Sequence, residues 1–261
     1  MTETLLARYD ALLLDLDGTV YRGKDPVPGA ADAVAAARAQ GVGIRFVTNN
    51  ASRAAQDVVD HLVEIGFNAV LDEVSTSGQA AAAMLAERVP AGSAVLVLGT
   101  AALETEVRLV GLTPVRSAEG AVAVVQGLSQ DMGWRELAEA CVAIRGGALW
   151  VACNADVTLP TERGLLPGCG ALVAALKAAT DREPLIAGKP AAPLLEQAAK
   201  SLGASRPLVV GDRLDTDIAG AVNAGMDSLL VLTGVSTEAE ALALPVEWRP
   251  THVAADLSGL L

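Results

Sequence analysis

Short apolar runs recur along the chain, and most give way to glycine or to a polar residue able to do chemistry. The first, Leu12-Leu13-Leu14, reads as a buried strand and ends in Asp15-Leu16-Asp17-Gly18-Thr19. The same grammar predicts strands at Ile44–Val47, Val74–Thr76, Ala94–Leu98, Val122–Val125, Ala148–Ala152, Leu185–Ala187, Leu208–Val210 and Ser228–Leu232. Helical patterns lie between them, at Ala30–Gln40, Ala54–Ile65, Gln79–Arg88, Ala102–Leu109, Trp134–Arg145, Gly170–Thr180, Pro193–Leu202 and Ile218–Ala224. Several of these are closed by glycine, as at Gly41, Gly66 and Gly225. Strand and helix alternating at short spacing argue an α/β protein with parallel sheets under covering helices. A chain of 261 residues has room for one large domain or two modest ones.

Composition narrows the class. With 52% hydrophobic and 19% charged residues, the chain has the makings of a packed core. No apolar run reaches the roughly 18 residues that a membrane span needs. Met1-Thr2-Glu3-Thr4 lacks the basic opening of a secretory leader, so a cytoplasmic location is expected. A net charge of −12 argues against nucleic acid or an anionic membrane as partner, but one local positive site still suffices for a small phosphorylated ligand. Cys141, Cys153 and Cys169 are odd in number and widely spaced, which indicates reduced thiols, not a disulfide scaffold or zinc site. His61 and His252 have no ligand spacing around them and read as helix-surface and loop positions.

Candidate chemistry sits at strand ends. Asp15 and Asp17 end one predicted strand, Thr48 and Asn49 the next, Lys189 follows a third, and Asp212 and Asp217 follow a fourth. In an open parallel sheet, ligands sit at the carboxyl ends of the strands, so these groups converge. Both carboxylates of Asp15 and Asp17 are expected at the edge of the core, where a charge needs compensation. Asp15 and Asp212 suit a hard, oxygen-seeking cation such as Mg²⁺. Thr48 and Lys189 suit phosphate oxygens, and the backbone N–H groups around Leu16–Thr19 suit an anion-binding nest. Asp15 is then a nucleophile that forms an aspartyl-phosphate, with Asp17 giving a proton to the leaving alcohol and later taking one from water.

Taken together, Asp15-Leu16-Asp17-Gly18-Thr19, Thr48, Lys189 and Gly211-Asp212-Arg213-Leu214-Asp215-Thr216-Asp217 resemble, in order, the four motifs of the haloacid dehalogenase superfamily phosphatases. The resemblance implies a Rossmann-like doubly wound parallel-sheet core with an inserted smaller α/β cap domain. It implies that Asp15, the main-chain carbonyl of Asp17, and Asp212 hold Mg²⁺, with Asp217 one shell out. Thr48, Asn49, Asn50 and Lys189 are implied phosphate contacts. The stretch from Asp17 to Thr48 holds only a helix and a strand, whereas that from Thr48 to Lys189 far exceeds a sheet crossover. The cap is therefore placed at 79–181, with 1–78 and 182–261 as the core. This arrangement, with Thr48-Asn49-Asn50-Ala51-Ser52-Arg53, Asn154-Ala155-Asp156 and Pro167-Gly168-Cys169-Gly170, is similar to the branch that includes para-nitrophenyl, phosphoglycolate, pyridoxal phosphate and glycerol-3-phosphate phosphatases.

In that branch the cap contacts the leaving group and relatives often pair through their caps, which implies a homodimer here. Neither candidate cap loop, Gly127–Asp131 or Asn154–Pro160, carries an aromatic ring to stack on a pyridine. Ser129, Gln130 and Asn154 suit hydroxyls, favouring a small aliphatic phosphate, glycerol 3-phosphate before phosphoglycolate or pyridoxal phosphate. Asn154 and Asp156 serve equally as cap contacts to substrate or as structural ties. Competing readings fit less well. A P-loop at Gly188-Lys189 lacks its first glycine, since Glu183 stands there, and Val173 takes the third glycine position of a dinucleotide fingerprint at Gly168-Cys169-Gly170. A dehalogenase has no need of Asp17, and a phosphomutase carries its cap between Asp17 and Thr48, where there is no room. A non-catalytic sugar-phosphate-binding protein is the alternative from another class.

Overall fold

The computed structural model describes residues 4–161 and 163–261, so the leaderless reading of Met1–Glu3 falls outside the described residues. In chain order, β1 (Ala11–Asp15) leads into a hairpin, β2 (Tyr21–Arg22) and β3 (Asp25–Pro26), then α1 (Ala30–Ala39), β4 (Gly43–Thr48), α2 (Ala55–Glu64) and β5 (Val74–Thr76). The middle of the chain supplies α3 (Ser77–Ala86), β6 (Ala94–Leu98), α4 (Ala101–Leu109), β7 (Thr113–Val115), β8 (Ala123–Gln126), α5 (Trp134–Arg145) and β9 (Leu149–Ala152). A second hairpin, β10 (Thr158–Thr161) and β11 (Gly164–Pro167), precedes α6 (Cys169–Thr180) and β12 (Leu185–Ile186). The last part holds α7 (Pro193–Ser201), β13 (Pro207–Gly211), α8 (Ala219–Asn223), β14 (Asp227–Val231), α9 (Glu238–Ala243) and β15 (His252–Ala254).

Two compact units divide these elements: Met1–Thr48, Ala55–Ser75 and Lys189–Leu261 form the first, Asn49–Ala54 and Thr76–Gly188 the second. The first is built on a sheet of order β15-β14-β13-β1-β4-β5. Its central strands are parallel, with Leu14 opposite Phe46 and Leu13 opposite Val209. Ala11–Leu14 are all buried because both faces of β1 are covered, which is why the strand reads as unbroken apolar sequence. Leu12, Leu14, Phe46, Val210 and Leu229 pack with α1 and α2 in one core. On β1 and β4 also lies α7, with Leu194 and Leu195 fully buried.

The chain leaves β1 toward β4 on one side and later returns to β13 on the other, so the strand order switches beside β1. Such a switch point opens a crevice at the carboxyl ends of the strands. Asp15 ends β1 and Asp212 follows β13, one on each side of it. At the opposite, amino end, the Tyr9 hydroxyl lies 2.8 Å from both Asp227 Oδ2 and His252 Nε2, tying the entry of β1 to β14 and β15. His252 is thus a strand residue in a hydrogen-bonded cluster, not a loop position; a three-residue edge strand carries too little pattern to be recognised.

The second unit has its own parallel sheet, β12-β9-β8-β6-β7, over a core that includes Leu96, Leu98, Val124, Trp150, Val173 and Leu176. Its bounds differ from 79–181 at three places, the first being its start at Thr76. Ile186 of β12 pairs with Ala152 of β9, which draws 182–188 into this sheet. The strip Asn49–Ala54 joins it through hydrogen bonds: Ser77 Oγ donates to the Asn49 carbonyl (2.6 Å), Asn154 Nδ2 to the same carbonyl (2.7 Å), Ser52 Oγ to Leu128 O (2.9 Å) and Thr100 Oγ1 to Ser52 O (3.1 Å). Asn49–Ala54 has no hydrophobic period, and the short apolar run Leu185–Ala187 predicts a strand without saying which sheet it joins.

Candidate active site

The carboxyl edge of the first sheet brings Asp15, Lys189, Asp212 and Asp217 together. Lys189 is only 2% exposed, and its Nζ donates to Asp15 Oδ1 at 2.5 Å and Asp217 Oδ1 at 2.7 Å. Carboxylate oxygens of Asp15, Asp212 and Asp217 lie within 4.8 Å of one another. Two acids therefore share one ammonium, with Asp212 beside them. Burial, aided by repulsion from Asp217, pushes the Asp15 carboxyl up to about 7. Burial also raises the fully buried Asp212, although the Val235 N–H donates to its Oδ2 at 2.7 Å and opposes the shift. Burial works against the charge on Lys189, but Asp15 and Asp217 outweigh it and hold the ammonium above its ordinary value.

Asp217 reaches the cluster by an irregular turn. The helix expected over Ile218–Ala224 begins as a widened π turn at Leu214–Ile218 before α8. That turn lets Asp217 Oδ2 accept from the Arg213 N–H at 3.1 Å while Oδ1 takes Lys189. Such bulges often mark functional sites. Asp217 thus stands with Asp15 and Asp212 in the same oxygen cluster. Asp215, in the same run, turns outward to pair with Arg213 at 2.7 Å.

Asp17 departs from expectation: its side chain is exposed, not buried beside Asp15. Gly18 adopts φ +89°, which turns the chain sharply out of the strand. The nest expected over Leu16–Thr19 is partly spent within that turn, since Gly18 N donates to Tyr21 O (2.8 Å) and Thr19 N to Leu16 O (3.3 Å). Thr48 ends β4, whose Val47 lies opposite Asp15. Asn49 and Asn50 belong to the second unit. There Asn49 Nδ2 donates to Asp156 Oδ2 (3.1 Å) and Asn50 Oδ1 accepts from Ser52 N (2.8 Å). Asn154 and Asp156 are joined to Asn49 and to each other, Asp156 N donating to Asn154 Oδ1 at 3.1 Å, so this trio fastens a corner of the second unit. The groups that sequence reasoning passed over are Thr233 and Val235, and with them the side chain of Thr19, whose Oγ1 donates to Asp212 Oδ1 at 3.5 Å. Thr233-Gly234-Val235 follow β14 just as the recognised motifs follow their strands, and that was a usable signal.

Residues 12–113 match the family described as haloacid dehalogenase-like hydrolase, and residues 186–260 match a second described as HAD-hydrolase-like. Across 259 residues, 99% of this chain and 72% of the relative, the sequence is 51% identical to the D-glycerol 3-phosphate phosphatase of Mycobacterium tuberculosis. The chain belongs to the haloacid dehalogenase-like hydrolases. This hydrolase is also 40% identical to the 5'-nucleotidase YutF of Bacillus subtilis, over 94% of each chain. It superposes on the crystal structure of a glycerol phosphate phosphatase from Mycobacterium tuberculosis in complex with magnesium with a TM-score of 0.94, at 51% identity, covering 100% of this chain and 78% of that one. The 4-nitrophenylphosphatase of Thermotoga maritima gives a TM-score of 0.90 at 32% identity, covering 99% and 98%. The family read from the four motifs is thus established.

Proposed function

We propose that this hydrolase is a Mg²⁺-dependent phosphatase of small phosphate monoesters, with glycerol 3-phosphate as the favoured substrate. The observation that carries the reading is the cluster of three acids, two of them paired with one buried lysine, at the carboxyl edge of a parallel sheet. A set of hard oxygen donors short of positive charge fits a divalent hard cation. Asp15, Asp212 and the main-chain carbonyl of Asp17 would hold it, with Asp217 in support. When bound, Mg²⁺ supplies neutralisation of the phosphoryl oxygens.

The side chains divide the remaining work. Asp15 attacks phosphorus as the ester P–O bond breaks, forming an aspartyl-phosphate. Asp17, exposed at the mouth of the strand, gives its proton to the departing alkoxide. It then takes a proton from the water that attacks the phosphoenzyme, and inorganic phosphate leaves. Lys189 orients Asp15 and, with Thr48, meets phosphoryl oxygens. Asn49 and Asn50, already engaged within the second unit, are left out of this assignment.

The substrate rests on the 51% identity to a D-glycerol 3-phosphate phosphatase. The 40% identity to a 5'-nucleotidase supports nucleoside monophosphates as the second reading. Phosphate release from para-nitrophenyl phosphate, lost with a chelator and in Asp15→Asn, tests the chemistry; equal rates in wild type and Asp15→Asn refute it. Comparing kcat/KM for glycerol 3-phosphate, phosphoglycolate, pyridoxal phosphate and a nucleoside 5'-monophosphate tests the substrate.

Two further assignments belong to this proposal. A homodimer is supported by apolar side chains left in the open on the second unit, with Trp134 80%, Val142 63% and Leu165 70% exposed. Light scattering on wild type and Trp134→Arg reads it directly, and a wild-type monomer rejects it. A cytoplasmic location is supported by three free cysteines; no helix among the described residues is long and apolar enough to cross a membrane.

A further inference from the structure

The loop after β14 encloses the Asp212 carboxylate from a side that none of the recognised motifs covers. Val235 N donates to Asp212 Oδ2 at 2.7 Å, and Ser236 N donates to the Asp212 carbonyl at 3.0 Å. Ser236 Oγ accepts from Leu214 N at 3.0 Å, which ties the same loop to the start of the π turn that delivers Asp217. In the other direction, Thr233 Oγ1 donates to the Gly18 carbonyl at 2.6 Å, and the Arg22 guanidinium donates to the Thr233 carbonyl. One short loop thus holds the acid that follows β13, the turn that follows Asp17, and the hairpin beyond it.

Two glycines make that approach possible. A Cβ on Gly234 would stand 1.9 Å from Asp212 Oδ2 and 2.3 Å from its Cγ. One on Gly18 would stand 2.6 Å from the same Cγ. The carboxylate therefore lies between two backbone segments, with no room for a methyl group on either. Every donor the loop presents is neutral, either a backbone N–H or a hydroxyl. It can orient Asp212 and the Gly18–Thr19 peptide through neutral contacts, with Arg22 meeting the loop at the Thr233 carbonyl. With Oδ2 committed to Val235 at 2.7 Å, coordination falls to Oδ1, which also accepts a long bond from Thr19 Oγ1 at 3.5 Å.

We propose that Thr233 and Gly234 are positioning residues for the metal site. Thr233 fixes the Gly18–Thr19 peptide, the one next to the Asp17 carbonyl, and Gly234 lets the Val235 N–H reach Asp212. Together they set the separation between the Asp17 carbonyl and the Asp212 carboxylate. This rests on the assignment of those two groups as Mg²⁺ ligands, and it adds residues that the four motifs do not contain.

The test compares Thr233→Val, which keeps the shape and deletes the hydroxyl, with Thr233→Ser, which keeps the hydroxyl. Mg²⁺ alone is titrated into metal-free protein by calorimetry, and turnover of para-nitrophenyl phosphate is measured against Mg²⁺ concentration. Thr233→Val is expected to bind Mg²⁺ at least fivefold more weakly. It should need a matching increase in Mg²⁺ for half-maximal turnover, while KM at saturating Mg²⁺ stays within twofold. Thr233→Ser should return both to within twofold of wild type. Gly234→Ala should weaken Mg²⁺ binding further than Thr233→Val. Wild-type Mg²⁺ affinity in Thr233→Val overturns the proposal, as does a serine variant no better than the valine one. If Thr233→Val does not fold, Thr233→Ala carries the same comparison with serine. Calorimetry is independent of turnover, so an active Asp15→Asn enzyme would count against the catalytic assignment and leave this comparison readable.

Discussion

Lys189→Met removes the cation that pairs with two of the three acids and keeps an unbranched apolar stem. In wild type, Lys189 bridges Asp15 and Asp217 at 2.5 and 2.7 Å, with Asp212 in the same cluster. Removing one partner of a buried ion pair leaves an uncompensated charge, a change that costs about 3–5 kcal/mol. A second route sets a ceiling of similar size, because a stranded carboxylate can take up a proton. From the ordinary aspartate value of 3.8, keeping a second acid neutral beside Asp15, whose own carboxyl is already raised to about 7, costs about 4.4 kcal/mol at pH 7, at about 1.4 kcal/mol per pH unit. The same escape costs about 1.6 kcal/mol at pH 5. The sign follows from proton uptake: the folded variant holds more protons than folded wild type while the unfolded chains match, so its deficit deepens as pH rises from 4 to 7. In a chelator, thermal unfolding at pH 7 should fall by roughly 10–15 °C relative to wild type, and the gap should narrow steadily toward pH 5. A variant within 2–3 °C of wild type at pH 7, or a gap independent of pH, refutes the reasoning.

Three other outcomes are expected. Asp17→Asn should lower kcat by about 10²–10⁴, the range for loss of a general acid–base, and leave the melting temperature almost unchanged because the side chain is exposed; activity near wild type removes Asp17 from the chemistry. Thiol titration of the native protein should modify Cys141 alone. Burial pushes Cys169 up to about 12 and Cys153 well above its ordinary range, so both should react only after unfolding, and rapid native labelling of either contradicts their placement. Burial, and then the charge of Arg8, hold His252 below its ordinary 6.5, so its contribution to stability is present above pH 6.5 and is lost as pH falls through that window. His252→Gln should therefore lose less stability than wild type in urea titrations between pH 7.5 and 5.5; parallel losses argue against the assignment.

The strands that carry the chemistry were legible because each is buried on both faces. Leu12–Leu14 and Leu208–Val210 can be read from side-chain type alone, and the acids that follow them stand out against that background. Chemistry carried by backbone was not legible in the same way. Nothing in the residue types reports that Gly18 turns at φ +89° and carries Asp17 out to solvent. Nor do they report that Leu214–Ile218 widens into a π turn, since helix propensity is nearly blind to one extra residue in a turn. The Val235 N–H on Asp212 escapes for a related reason: any residue but proline could supply it, and only Gly234 hints at the close approach. The hairpins and β15 are too short to show a period.

The strip Asn49–Ala54 has a consequence for how the gene can be cut and joined. The second unit is not a single insertion but two pieces, interleaved with the first unit along the chain. A transplant limited to 79–181 would carry Thr100 Oγ1, Asn154 Nδ2 and the Leu128 carbonyl without Ser52 and Asn49, and the β9 edge without β12. Recombination between relatives preserves these pairings when both pieces come from the same parent. The hexapeptide after Thr48 thus travels in inheritance with a sheet that begins some forty residues further on, and chimeras that separate the two should express poorly even where each half is natural.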